Sequence, residues 1–156
     1  MAEYPQLLHT VLDSTRPREL AEFYRQMLGL RYRPGDEAPA DGAADEADWL
    51  VLVDSDGARK LAFQQVDHLP RTTWPKHDVP MQLHVDFTVS SKAELHRQRE
   101  RAEALGAELL LDRTDDPTNR CMCSPICQAT RSASSLPDRT LSPGSSHDPG
   151  RLRLPM

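Results

Sequence analysis

One pattern occurs twice in this chain and constrains the fold more than any other feature. It appears as "LLHTVLDSTRPREL" at residues 7–20 and again as "QLHVDFTVSSKAEL" at residues 82–95. Each copy has a Leu-His pair in an apolar run, then a hydroxyl-rich break, then Glu-Leu in a helical stretch. In both copies the Leu of the Glu-Leu pair lies eleven positions after the histidine: Leu20 after His9, and Leu95 after His84. The repeat predicts two modules of one design.

The first copy predicts a strand followed by a helix. Residues 6–13 are apolar enough for a buried strand, and Ser14 or Thr15 is suited to cap a helix with Pro17 in its first turn. Gly29 favours a left-handed cap at the end of this helix. Apolar residues between these signals recur at helical spacing and predict a buried stripe, which comprises Leu20, Phe23, Tyr24, Met27 and Leu28.

The next segments predict three strands and one long loop. "LRYR" is typical of a strand, and "PGDEAPADGAADEAD" predicts an acidic, solvated and mobile surface loop. "WLVLVD" and "RKLAFQQV" are rich in strand-forming residues and are joined by the turn sequence "SDG", so they predict a hairpin. Residues 6–66 therefore form a predicted βαβββ module.

The second module is predicted at residues 81–117, after a proline-rich linker at 67–80. It opens with the strand "MQLHVDFTV". Ser91 and Glu94 match a capping box, which predicts the start of a helix, and Gly106 predicts its end. "AELLLDR" then corresponds to "LRYR" of the first module.

Residues 118–156 depart from this plan. They contain no aromatic residue, no Lys and no Glu, and they carry 2 acidic and 5 basic side chains, against 22 and 14 before them. Such a Ser/Pro/Arg-rich tail is predicted to lack the two closing strands, because it buries too little apolar surface to offset chain entropy. Two explanations stay open. The tail is a genuine disordered extension, or it reflects a frameshift, since a one-base shift turns several of its serine codons into apolar ones.

Charge and hydropathy exclude some functions. The net charge of −5 gives no basic footprint for nucleic acid. No stretch approaches the roughly 20 apolar residues of a membrane span. The N-terminal residues lack the basic start and apolar core of a signal peptide, so we expect a cytoplasmic protein.

Three stretches resemble the vicinal oxygen chelate superfamily, the glyoxalase, bleomycin-resistance and extradiol-dioxygenase group. They are "LLHTVLDSTRPRELAEFYRQMLGL", "KLAFQQV", and "MQLHVDF" with its helix and "LGAELL". The resemblance implies an α+β fold in which two tandem βαβββ modules form a curled, cup-like mixed sheet with a helix outside each module. It also implies that the protein forms a homodimer and binds a small-molecule ligand.

The resemblance further implies a site for a divalent metal such as Zn, Ni, Fe or Mn. His9 and His84 match the ligands of the two opening strands, and Gln64, or Gln65 if the register slips by one, falls near the carboxylate ligand of the first module. A neutral amide binds a metal more weakly than Glu. The fourth ligand, normally a Glu, is absent. Both histidines could instead line a pocket or a core.

Other residues are candidates for contact with the ligand. Trp49 and Trp74 are predicted pocket walls, with ordinary core packing as the alternative. Asp86 lies two positions after His84 and shares its strand face, where it could orient that histidine, contact a ligand or make a structural hydrogen bond. No catalytic base emerges.

Two functions therefore remain. The first is a metal-dependent enzyme, a lyase or isomerase of glyoxalase type or a dioxygenase. The second is a metal-free protein that sequesters a drug-like molecule.

Overall fold

The chain divides into two compact units, Met1–Arg71 and Thr72–Met156, and the division falls within the predicted linker. The computed structural model describes residues 4–40, 43–74, 76–81 and 83–114, and the backbone of 121–123 and 151–155. In these described ranges no helix is both long enough and apolar enough to cross a membrane.

The first unit is a four-stranded mixed sheet with one helix. Its elements are β1 (Thr10–Ser14), α1 (Pro17–Leu28), β2 (Arg31–Tyr32), β3 (Trp49–Val53) and β4 (Arg59–Gln65). The strand order is β1-β4-β3-β2, with β1 and β4 parallel and the other neighbours antiparallel. The predicted strands, helix and hairpin of residues 6–66 are all present in this unit.

The start of α1 differs from its prediction, while its end agrees. Pro17 is the first helical residue, so the N-cap position falls on Arg16 rather than on Ser14 or Thr15, and no side chain caps the helix. The Ser14 hydroxyl instead accepts a hydrogen bond from the Arg16 N–H at 3.0 Å. Gly29 has a φ of 66° and forms the left-handed C-cap that the sequence predicted.

The core of the first unit lies between α1 and one face of the sheet. Four of the five predicted stripe residues of α1 are buried, and Leu28 is half-buried. The Tyr24 and Phe63 ring centroids are 5.8 Å apart, and burial raises the pKa of Tyr24 well above its usual range. Full burial of each large side chain contributes about 1.5–3 kcal/mol. The sheet supplies Leu12, Leu50, Leu52, Leu61 and Phe63 to this core.

The first strand is shorter than predicted. The sequence predicted a buried strand over 6–13, but β1 begins at Thr10, and Leu7 and Leu8 are 88% and 60% exposed. The ladder with β4 begins where Thr10 pairs with Leu61, although β4 itself begins two residues earlier, at Arg59. Apolar character alone could not locate the end of this ladder.

The acidic loop between β2 and β3 is exposed at most of its described residues, as predicted for a surface loop, but it is held to the rest of the unit at two points. Asp36 is buried, and its carboxylate accepts hydrogen bonds from the Val51 N–H and from Arg33, both at 2.8 Å. Arg18 on α1 pairs with Asp45 at 2.6 Å and lies over the Tyr32 ring. The physical reason is that Asp36 satisfies a buried backbone donor, for which solvent cannot substitute.

Within its described residues, the second unit contains four strands and one helix. They are β5 (His84–Thr88), α2 (Lys92–Ala104), β6 (Leu111–Asp112), β7 (Cys121–Cys123) and β8 (Arg151–Pro155). The Ser91 hydroxyl accepts a hydrogen bond from the Glu94 N–H at 3.1 Å, which confirms the predicted cap, and Gly106 has a φ of 101°. The order β5-β8-β7-β6 matches that of the first sheet, but β8 runs in the opposite sense, antiparallel to β5 and parallel to β7.

The presence of β7 and β8 corrects the prediction that no strands follow Pro117. Backbone hydrogen bonds build a ladder whatever the side chains are, so an apolar-poor segment can still supply the two central strands of this sheet. The α+β class with mixed, open β-structure and two helices is confirmed. The frameshift hypothesis rests on residues 120–135, and all of these except 121–123 lie outside the described residues.

The buried carboxylate of Asp36 yields a stability prediction. Replacement Asp36→Ala leaves the Val51 N–H unsatisfied, and we expect the free energy of unfolding in urea to fall by about 1–3 kcal/mol. The matched control Asp48→Ala, at an exposed position just before β3, should change it by less than about 0.5 kcal/mol. Equal effects of the two substitutions would contradict this role of Asp36.

Candidate functional site

The first sheet has a second face, directed away from α1, which we call the distal face. Phe63 points toward Tyr24 on α1, so its neighbour Gln64 points the other way, because side chains alternate along a strand. Cross-strand partners share a face. The register therefore places on the distal face Val11 and Asp13 of β1, Ala62 and Gln64 of β4, and Trp49 and Val51 of β3.

Three of these residues form a polar and aromatic row across the sheet. Gln64 is the register partner of Asp13 on one side and of Trp49 on the other. Neighbouring strands lie about 4.8 Å apart, so the row spans about 10 Å between the backbones of β1 and β3. Asp13 and Gln64 are exposed, and Trp49 is 36% exposed. The three side chains are therefore accessible together.

The adjacent row of the distal face is apolar. It consists of Val11, Ala62 and Val51, which are also register partners. Val51 and Ala62 are fully buried, and Val11 is 38% exposed. The accessible part of this face thus combines an apolar edge with the polar and aromatic row.

The structure resolves which glutamine belongs to this face. Gln65 pairs with Ser14, on the side of the sheet that carries α1, and its amide nitrogen donates a hydrogen bond to the Thr15 carbonyl at 3.2 Å. Gln64 is therefore the glutamine of the distal face.

His9 lies one position before β1 and contacts this row. Its ring centroid is 6.2 Å from that of Trp49, with the two planes tilted by 59°. The Nδ1 atom of His9 is buried, and no atom in the described part of the chain hydrogen-bonds to it. A buried nitrogen without a partner costs about 1–3 kcal/mol, a cost that a bound ligand can remove.

The remaining predicted residues belong to the second unit. His84 is the first residue of β5, and its Nε2 lies 3.9 Å from the Oδ2 of Asp86, which supports the prediction that Asp86 neighbours His84 on one strand face. Trp74 is half-buried in the segment before β5, where its backbone N–H donates to the Thr72 hydroxyl at 3.2 Å. In the first unit, by contrast, both His9 and Gln64 neighbour Trp49.

Sequence reasoning missed Asp13. It lies four positions after His9, and a strand through both residues would have placed them on one face by alternation. The alternation of the predicted strand was therefore the signal that could have identified it.

The first unit offers a poor set of metal ligands. Its donors on or beside the distal face are the imidazole of His9, the carboxylate of Asp13 and the neutral amide oxygen of Gln64. In the described ranges, no three His, Cys, Asp or Glu side chains are grouped closely enough to hold a metal ion. The residues of this unit therefore do not fit a tightly bound divalent ion by themselves.

A separate cavity of about 550 Å³ lies beside α1 and β2. Glu22 and Arg25 in its wall form an ion pair at 2.7 Å, and the Tyr32 hydroxyl donates to Glu22 at 3.2 Å. These hydrogen bonds, those of Arg25 above all, lower the pKa of Glu22 to about 2. The charges of Glu22 and Arg25 are thus paired with each other in the cavity wall, whereas the carboxylate of Asp13 has no such ion pair among the described residues.

Comparison with known proteins identifies the family. A family model described as a glyoxalase-like domain matches residues 9–128, most of the chain. The chain belongs to the glyoxalase-like domain family. This family is part of the vicinal oxygen chelate superfamily, so the resemblance seen in the sequence is confirmed. No curated protein and no solved structure matches the chain significantly.

The distal face of this glyoxalase-like domain yields a second stability prediction. Val51→Ala removes a fully buried side chain and should lower the free energy of unfolding by about 2 kcal/mol. Val11→Ala, in the same row but partly exposed, should lower it by less than about 1 kcal/mol. Urea denaturation of both variants measures the difference, and a larger effect at Val11 would contradict the assigned burial.

Proposed function

We propose that this glyoxalase-like domain protein binds a small organic molecule on the distal face of its first sheet. The observation that carries the proposal is the row of Asp13, Gln64 and Trp49, with the ring of His9 beside it. Ligand sites typically combine apolar and aromatic walls with a few polar groups that fix orientation. The distal face supplies an indole, an amide, a carboxylate and an imidazole with an unsatisfied nitrogen.

Packing within the unit does not account for this row. The large apolar residues of the core lie on the face that carries α1, and the distal face adds Val51 and Ala62, which belong to the adjacent apolar row. An exposed Trp49 beside an exposed carboxylate contributes little to that core. Binding of a flat molecule over the indole would instead remove apolar surface from water, at about 25 cal/mol for each Å².

Several finer expectations stay predictions. They are the equivalence of two tandem βαβββ modules, the curled cup, the homodimer, the cytoplasmic location, and the roles of His84, Asp86 and Trp74 in a site. The proposal for the distal face uses residues of the first unit alone, so it does not depend on them.

A neutral probe tests the proposal. We expect 2-naphthylmethanol, titrated into ¹⁵N-labelled protein, to shift the indole N–H of Trp49 and the side-chain amide of Gln64. The side-chain amide of Gln65, on the opposite face, is the control within the same spectrum and should shift little. Trp49→Ala should weaken binding by about tenfold. Shifts that spare Gln64 and survive Trp49→Ala would refute the site.

A metal-dependent enzyme is the second candidate, and the unpartnered Nδ1 of His9 favours it. In such an enzyme a divalent ion acts as a Lewis acid toward two neighbouring oxygens of the substrate. His9 and Gln64 would supply ligands from the first unit, and the neutral amide of Gln64 argues for weak binding.

Calorimetric titration with Zn²⁺ separates the two candidates. Under the metal-dependent alternative, the wild type binds Zn²⁺ weakly, His9→Ala abolishes binding, and Gln64→Glu tightens it by about tenfold by adding a charged ligand. Gln65→Glu adds the same charge on the other face and should have no effect. Under metal-free binding, which we favour, none of these substitutions changes Zn²⁺ affinity.

A further inference from the structure

The carboxylate of Asp13 stands at one end of the polar and aromatic row. It is exposed on the distal face, and within the described residues no cation pairs with it. Arg16, the nearest cation along the chain, forms an ion pair with Glu19 at 2.8 Å. Arg18 lines a cavity of about 300 Å³ that also touches Trp49, and it is paired with Asp45 at 2.6 Å. The negative charge of Asp13 is therefore available to a ligand.

The other end of the row is the indole of Trp49. An aromatic face attracts flat apolar groups and also cations, through the charge distribution of the ring. Gln64 stands between Asp13 and Trp49 and can donate or accept a hydrogen bond. A ligand about 10 Å long can thus reach a carboxylate, an amide and an indole at once.

The loop that precedes Trp49 adds negative charge at this end of the row. The loop that leads into Trp49 ends with the exposed carboxylates Asp45, Glu46 and Asp48, of which Asp45 is the one that Arg18 neutralises. The chain as a whole carries a net charge of −5. Charge of this sign raises the local concentration of cations and lowers that of anions.

We infer that the distal face selects organic cations, molecules with a protonated amine beside a flat aromatic group. Asp13 binds the ammonium group, Trp49 stacks on the aromatic group, and Gln64 fixes the orientation between them. This inference rests on the proposed small-molecule function and adds the charge class of the ligand. Asp13 is then the residue that determines specificity.

Three probes of one shape test the inference: 2-naphthylmethylamine, the neutral 2-naphthylmethanol and the anionic 2-naphthoate. Calorimetry on the full chain should give the amine at least about a tenfold higher affinity than the alcohol, and the carboxylate the lowest. Added salt should weaken binding of the amine and leave the alcohol unchanged, because an exposed charge is screened.

Substitutions then assign the effect to Asp13. Asp13→Asn should reduce affinity for the amine to that of the alcohol, and Asp13→Glu should keep part of the preference. The control Asp56→Asn makes the same charge change in the turn between β3 and β4, at the other end of the hairpin from Trp49. It should leave all three affinities unchanged.

These outcomes test the selectivity for cations separately from the proposed small-molecule binding. Equal affinities for the three probes, or an amine preference that survives Asp13→Asn, overturn the cation selectivity and leave small-molecule binding standing. Failure of all three probes to bind overturns both. Loss of the preference in Asp13→Asn with an unchanged circular dichroism spectrum supports the inference and shows that the variant is folded.

Discussion

The packing of α1 against the first sheet is the contact on which the candidate site depends. Tyr24 and Phe63 meet at 5.8 Å across this contact, and the leucines around them exclude water from one face of the sheet. Because side chains alternate along each strand, this contact also decides which residues point away from the helix. A shift of β4 by one residue in register would place Gln65 instead of Gln64 on the distal face, and the row would be lost.

Two charged residues stabilise the loop that leads to Trp49. Arg18 spans from α1 to Asp45, and the carboxylate of Asp36 satisfies the backbone of Val51 within β3. A carboxylate that accepts a hydrogen bond from a buried N–H is structural, since solvent cannot substitute for it there. The acidic residues of this loop therefore differ in role. Asp36 holds the loop to the sheet, while Glu46 and Asp48 are exposed to solvent.

The site of this glyoxalase-like domain departs from the arrangement that the family resemblance implies. Gln64 replaces a carboxylate at one expected ligand position, and the row contains Asp13, which was not among the expected ligands. A face with one negative charge, one amide and one indole is better suited to an organic molecule than to a tightly held divalent ion. The matched offsets of His9 and His84 in the sequence are compatible with either use.

The sequence by itself determined the local elements and the family. Helical spacing, Pro17 and Gly29 located α1 because these signals act over one or two turns, and the turn "SDG" located the hairpin for the same reason. The N-cap of α1 falls on Arg16 rather than on the predicted Ser14 or Thr15, because its position depends on where the preceding strand ends.

Tertiary structure decided the register and the burial, which are set by distant parts of the chain. The pairing of Thr10 with Leu61 shortened β1 and placed Asp13 beside Gln64. The two strands after Pro117 form the centre of the second sheet, through backbone hydrogen bonds to β5 and β6 that composition does not reveal. Which residues form the site is therefore a property of strand pairing, which joins positions some fifty residues apart.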